Sequence, residues 1–203
     1  GDRFQLLDGV GGDATAELLD PKKGMAQLVS SVTHHPRPHS PSIAVSLLKS
    51  GDLEELFEHA SQLPLQQFQP LWSDYSQQSR KSGSTDSLLR RLRSKARVAL
   101  KQSRQFWVTE ILEPVELSSW LEATSEEESI VLLEMSGMPA EKICWKESPW
   151  LLSGPEGGFS ERELQLILNH KNVIPLSLGK TRLRAKTAPI VALGALTARG
   201  DRT

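Results

Sequence analysis

The chain has 203 residues, of which 38% are hydrophobic and 24% charged, with a formal net charge of −1. That is long enough to bury a core in one or two domains, and ordinary enough to exclude a disordered or fibrous chain. Its apolar runs, such as "IVLL" and "IVALGAL", are too short to span a bilayer, no signal peptide is visible, and the single cysteine, Cys144, excludes an internal disulfide framework and suits a reducing cytoplasm.

In chain order, "RFQLLDGVGGDATAELL" reads as a hairpin, two apolar strands around Asp-Gly and Gly-Gly turn signals, with "AQLVSSV" as a third strand. "THHPRPHSPS" then reads as a linker, with three prolines and few apolar residues. Its histidines, His34, His35 and His39, raise a metal site, but a proline-rich segment without strands holds ligands poorly, so no metal is expected. Residues 1–36 are therefore expected to form a small β-rich unit, with too few strands to close a barrel.

After the linker the pattern alternates. "SIAVSLL" reads as a buried strand, and "GDLEELFEHASQL" as an amphipathic helix with Leu53, Leu56, Phe57 and Ala60 on one face. "FQPLW" is a short strand. Residues 84–102 read as a long basic helix with Leu88, Leu89, Leu92, Ala96 and Ala99 at helical spacing. "SIVLLEM", "WLLSG" and "VIPLSLG" are strands, and "SERELQLILNH" and "TAPIVALGAL" are helices, with Thr187 at the N-cap of the last. Strands alternating with helices predict an α/β fold, a parallel sheet covered on both faces.

Charge is unevenly spread. Residues 80–104 hold nine Lys/Arg and one acid, residues 179–203 six Lys/Arg and one acid, and residues 113–147 nine Glu and two Lys. Each run alone is a solvated helix face, but two basic segments in one small chain point to a polyanionic partner.

"LLSGPEGGFSEREL" carries the sharpest signal. A strand ends in "WLLSG", and Ser160 with Glu163 forms an S-x-x-E capping box that opens a helix. Gly154, Pro155, Glu156, Gly157 and Gly158 are left as the strand-to-helix loop, where ligands sit in open α/β sheets. An ordinary tight turn would read the same way. Phosphate-loop spacing is absent, and Glu156 would repel a phosphate, so a cationic or zwitterionic ligand suits the loop better.

Together, "SGPEGGFSERE" and "LSLGKTRLRAKTAPIVALGAL" resemble the small-subunit ribosomal RNA methyltransferase E family, which belongs to the SPOUT (trefoil-knotted) methyltransferases. "GDRFQLLDGVGGDATAELL" is similar to the family's N-terminal RNA-binding β-barrel of PUA type, and "ALKQSRQFWVTEILEP" to its segment with a Gln-Ser pair before a strand. The resemblance implies a partial PUA-like unit over residues 1–36 and a knotted SPOUT domain over residues 37–203. It implies methyl transfer from S-adenosylmethionine to N3 of a uridine in 16S ribosomal RNA, with the small ribosomal subunit as partner. It puts one cofactor wall at Gly154, Pro155, Glu156, Gly157 and Gly158, and another at Leu178, Gly179, Leu183 and Thr187. A third wall is Leu133, Glu134 and Met135. It also implies a homodimer through the last helix, whose apolar and small positions exceed one buried stripe.

The uracil N3 proton must leave, and a nearby cation would stabilise the anionic base; Arg184 is the candidate, with a plain phosphate grip as its other reading. Arg90, Arg91, Arg93, Lys95, Arg97 and Lys101 on the basic helix, with Lys180, Arg182 and Lys186, are the expected RNA contacts. Departures from the family lie at Lys186, where Glu is usual, at Gln62 and Pro64, which replace Glu and Gly, and at Arg104-Gln105, which replace Gly-Arg. The chain begins where the family's first strand and a basic segment have already passed. These departures keep open a non-catalytic RNA-binding relative with the same fold.

Overall fold

The computed structural model describes residues 1–78, 82–143 and 148–200. Cys144, on which the redox reading rests, lies outside them, as does Arg80 of the basic run.

Arg3–Leu7 (β1) and Gly12–Asp20 (β2) form the expected antiparallel hairpin, with Arg3 opposite Glu17 and Leu7 opposite Asp13. Asp8 fastens its turn: one carboxylate oxygen accepts the N–H groups of Val10 and Gly12, both at 2.8 Å. Those bonds hold the Asp8 carboxyl below its ordinary range. Met25–Leu28 (β3) adds to β2 as the third strand. Thr33–His34 (β4) also pairs with β2, which corrects the reading of "THHPRPHSPS" as linker throughout. Both residues precede the first proline and keep the N–H a ladder needs, but two residues are too few for periodicity to show.

The junction with the rest of the chain is aromatic. The His35 ring stacks on Phe106 with centroids 3.6 Å apart, and its Nε2–H donates to the Asp13 carboxylate at 2.7 Å. The Trp107 indole N–H donates to the His35 carbonyl. Gly11 lies between them at φ +100°, and a Cβ there would come within 2.7 Å of both the Trp107 ring and the His35 carbonyl oxygen. His35 is thus a structural residue of this joint.

Beyond it stands a parallel sheet of Ser42–Ser46 (β5), Gln67–Trp72 (β6), Glu110–Ile111 (β7), Val115–Glu116 (β8), Ile130–Pro139 (β9), Trp150–Ser153 (β10) and Val173–Ser177 (β11). The strand order is β11-β9-β10-β5-β6-β7, with β8 also on β6. Side chains alternate between its faces. Ile43, Val45, Phe68, Val131 and Leu151 point to one face, where Ser50–Ala60 (α1), Ser82–Gln102 (α2) and Ala188–Gly200 (α5) pack. Ala44, Leu71, Ile130, Leu132, Trp150 and Leu152 point to the other, under Leu117–Ala123 (α3) and Glu161–Asn169 (α4). The α1 stripe read from the sequence is fully buried; Leu53, Leu56 and Phe57 are each 0% exposed, worth roughly 1.5–3 kcal/mol apiece before entropy. The sequence reading passes over β7, β8 and α3, which lie around the start of the acidic run; Leu117, Trp120 and Leu121 are the buried side of α3.

β9 has an irregularity that matters for the cavity. Pro175 pairs with Leu132, but Leu176 next pairs with Met138, so residues 133–137 bulge out of the ladder. Gly137 permits the return: a Cβ there would lie 2.6 Å from the Pro175–Leu176 backbone.

α2 ends in a left-handed cap. The Gln105 N–H donates to the Leu100 carbonyl, and Arg104 has φ +55°, the position glycine usually fills. Arg104→Gly should raise stability by about 0.5–1 kcal/mol, the relief of left-handed strain less the extra freedom of the unfolded chain. Urea denaturation measures it, and an unchanged or lowered midpoint would show that the Arg104 side chain compensates for its backbone.

Candidate functional site

The carboxyl ends of β5, β9, β10 and β11 surround a cavity of about 890 Å³. It lies where the strand order turns back on itself, beside the β10–β5 pair, where open α/β sheets hold ligands.

Its first wall is the loop after β10, with Gly154, Pro155, Glu156 and Gly158 on the cavity. The Gly158 N–H donates to the Pro155 carbonyl at 2.9 Å and closes the turn, with Gly158 at φ +77°. The capping box is present as read: Ser160 Oγ accepts from the Glu163 N–H, and Glu163 accepts from the Ser160 N–H at 2.9 Å. Glu163 is 4% exposed, and its other oxygen accepts the Asp74 N–H at 2.8 Å. Asp74 in turn accepts from Ser160 Oγ and from Arg162. The loop after β6 and the glycine loop are thereby one polar unit. Gly157 faces away from the cavity, against Tyr75, 3.6 Å from where its Cβ would be.

Residues after β11 make the second wall, including Leu178, Gly179, Arg182, Leu183, Arg184 and Lys186. Gly179 has φ +120°. Thr187 stands off the wall; its carbonyl accepts the Val191 N–H, the first bond of α5. The β9 bulge supplies the third wall, Leu133, Glu134 and Met135. Sequence reasoning missed the floor, Lys49 and Asp52, at the start of α1. The signal was available: "SLLKSGD" is another strand end running into a helix.

The expected basic surface is divided. Arg91 donates to Glu54 at 2.9 Å, Arg93 to Glu113 at 3.0 Å, and Lys95 pairs with Glu58. Lys186 is bound twice, at 2.8 Å to Asp52 and 2.9 Å to Glu55. The Lys186 bond, above all, lowers the Asp52 carboxyl below its ordinary range, and Asp52 first, then Glu55, raises Lys186. A lowered acid loses its contribution as pH falls through its folded value, and a raised base loses its own as pH rises through its folded value, so this bridge persists at neutral pH and opens in acid, as Asp52 takes up a proton, or in strong base, as Lys186 gives one up. Arg90, Arg97, Lys101, Lys180, Arg182 and Arg184 are exposed and carry no ion pair among the described residues.

The family model described as RNA methyltransferase domain matches residues 35–197. The chain is 30% identical over 98% of its length to the ribosomal RNA small subunit methyltransferase E of Synechocystis, and spans 66% of that relative's length. Among solved structures, a protein of Legionella pneumophila described as a methyltransferase, in complex with the cofactor SAM, superposes with a TM-score of 0.88 at 25% identity, over 98% of this chain and 84% of that one. The ribosomal RNA small subunit methyltransferase E of Neisseria gonorrhoeae, solved bound to S-adenosyl methionine, has the same fold, with a TM-score of 0.85 at 21% identity over 98% of this chain and 83% of that one.

Glu163→Ala should destabilise the protein by about 1–3 kcal/mol, because it strands the N–H groups of Asp74 and Ser160. Glu163→Gln keeps one acceptor and should cost less. Equal urea midpoints for Glu163→Ala and the parent would remove Glu163 as the fastening of the glycine loop.

Proposed function

Because this chain belongs to the RNA methyltransferase domain family, we propose that it transfers a methyl group from S-adenosylmethionine to N3 of a uridine in 16S ribosomal RNA. The observation that carries the reading is the cavity and its glycine wall. Gly158 and Gly179 leave open space where a Cβ would stand, so ligand atoms can approach the backbone there. Glu134 and Glu156 put carboxylates on the wall for a cationic ligand, and the volume falls within the roughly 300–1,000 Å³ of small-molecule sites. The residues fit the cofactor.

When bound, S-adenosylmethionine supplies an electrophilic methyl group on a sulfonium. Leu133, Glu134, Gly154, Pro155, Glu156, Gly158, Leu178, Gly179 and Leu183 hold it. Arg184, exposed on the facing wall and free of ion pairs among the described residues, stabilises the negative charge that the uracil develops as N3 loses its proton. The base leaves its stack to reach the cavity. Arg90, Arg97, Lys101, Lys180 and Arg182 are the phosphate contacts. The substrate supports a cytoplasmic setting, and no described helix is long and apolar enough to cross a membrane.

The same reading extends to architecture. Residues 1–36 are a partial PUA-like unit and 37–203 a SPOUT domain. β11 is an edge strand, yet α5 after it packs back on α1 and β10, and this return supports a trefoil knot. α5 buries Ala192, Leu193 and Leu196 but exposes Val191 and Ala195, a turn apart. That face supports a two-fold homodimer, and a monomer in light scattering at micromolar concentration would refute it.

Calorimetry with S-adenosylmethionine, then single-turnover methylation of 16S RNA or small subunits, tests the function. The parent should bind and methylate. Gly179→Val should lose at least about tenfold in affinity while staying folded, since it adds a side chain to the wall at a φ it resists. Arg184→Ala should bind cofactor normally yet methylate roughly 10²–10³-fold more slowly at saturating enzyme. A parental rate would make Arg184 a phosphate grip only. RNA binding without cofactor binding would leave a non-catalytic RNA-binding protein.

A further inference from the structure

The wall after β11 is fastened in an uneven way. Among the described residues, the hydrogen bonds of residues 179–185 remain within the segment and its own ends: Gly179 with Ser177, and the Arg184 carbonyl with the N–H groups of Thr187 and Ala188. Leu178 and Ala185 add apolar packing against the core. The polar reach to another element is made by Lys186, whose ammonium lies 2.8 Å from Asp52 and 2.9 Å from Glu55. These two acids sit three positions apart on α1, on one face of the helix. α1 itself is held by Leu53, Leu56 and Phe57, all fully buried. A segment with few ties is thus clipped to a rigid helix at one point, two residues past Arg184.

We infer that Lys186 is a positioning residue: it latches the 178–187 segment to Asp52 and Glu55 so that Leu183 and Arg184 are held on the cavity wall. This deepens the methyl-transfer reading and rests on it. It also moves Lys186 out of the set of RNA contacts expected from sequence. Two partners already satisfy the ammonium, and its side chain is 22% exposed, so a phosphate would have to displace both carboxylates. Bridges at such exposure add little to global stability. The effect of the latch is therefore local: it raises the fraction of time the wall is formed, and ligand affinity scales with that fraction.

The test uses the full chain in two arms. In the first, hydrogen exchange of residues 178–187 is followed without ligand. Lys186→Ala and the double variant Asp52→Asn/Glu55→Gln should each speed exchange there severalfold and leave the rest of the protein unchanged. Lys186→Arg should stay near the parent. The reversed set Lys186→Glu/Asp52→Lys/Glu55→Lys should recover protection. In the second arm, calorimetry should show affinity for S-adenosylmethionine falling about tenfold in both broken-latch variants, as when the wall is formed a tenth of the time, and recovering in the reversed set. The double variant matters because Lys186→Ala also leaves the Asp52 carboxylate bare at the cavity. Unchanged exchange in both broken-latch variants overturns the latch. Faster exchange with parental affinity overturns the positioning role. A parent chain that binds no S-adenosylmethionine overturns the cofactor reading and the positioning role with it, while the exchange arm still decides the latch.

Discussion

Parallel strand pairing is the constraint from which the rest of this structure follows. Parallel neighbours cannot be joined by a tight turn, so each connection crosses a face of the sheet, and both faces become core. That is why β5 is buried at all five positions, and why odd and even residues of β9 and β10 serve two separate apolar clusters. It also sends every strand out of the sheet at the same edge. The lining of the cavity, from Lys49 after β5 to Ala188 at the start of α5, is the sum of those exits.

Edge loops are the part of such a fold with least intrinsic order, and each wall here is steadied by different chemistry. The glycine loop is steadied by a buried carboxylate that bonds two backbone N–H groups from different connections. The β9 bulge is steadied by a backbone approach that only glycine allows at position 137. The segment after β11 relies on an ion pair with α1. The acids of α1 serve α2 as well: Glu54 and Glu58 face Arg91 and Lys95. A helix rich in carboxylates in the middle of a protein proposed to bind RNA is understood in this way. Its charges are taken up by neighbouring cations, while Arg90, Arg97 and Lys101 of α2 and Lys180, Arg182 and Arg184 after β11 carry no ion pair among the described residues.

Much of this was legible in the residues, for identifiable reasons. Helices α1, α2 and α4 follow from apolar spacing, since burial against a sheet requires a stripe. The capping box at Ser160 is a local motif, and local motifs survive folding. The glycine loop could be placed because strand end and helix start bracket it. β4 and β7 were not legible, because two residues carry no period. The β9 bulge was not legible either: "SIVLLEM" ends before the residues that return to β11, and that return depends on contact with Pro175 and Leu176. Gly157 and Gly158 are adjacent and chemically identical, so only the turn itself decides which faces the cavity. The fate of Lys186 depends on partners at positions 52 and 55, far away in sequence, and a list of basic residues cannot reveal such pairing.

α5 covers α1 and β10, and this bears on how the protein comes into being on the ribosome. The apolar stripe of α1 leaves the exit tunnel ahead of Ala192, Leu193 and Leu196, which emerge roughly 140 positions later. At roughly 5–20 residues per second that interval is on the order of ten seconds. Through that interval the nascent chain shows a surface meant for the interior, and the cavity lacks its β11 wall. A ribosome that stalls before α5 therefore yields an adhesive fragment with an unfinished cavity, one that quality-control factors binding exposed apolar chain would intercept.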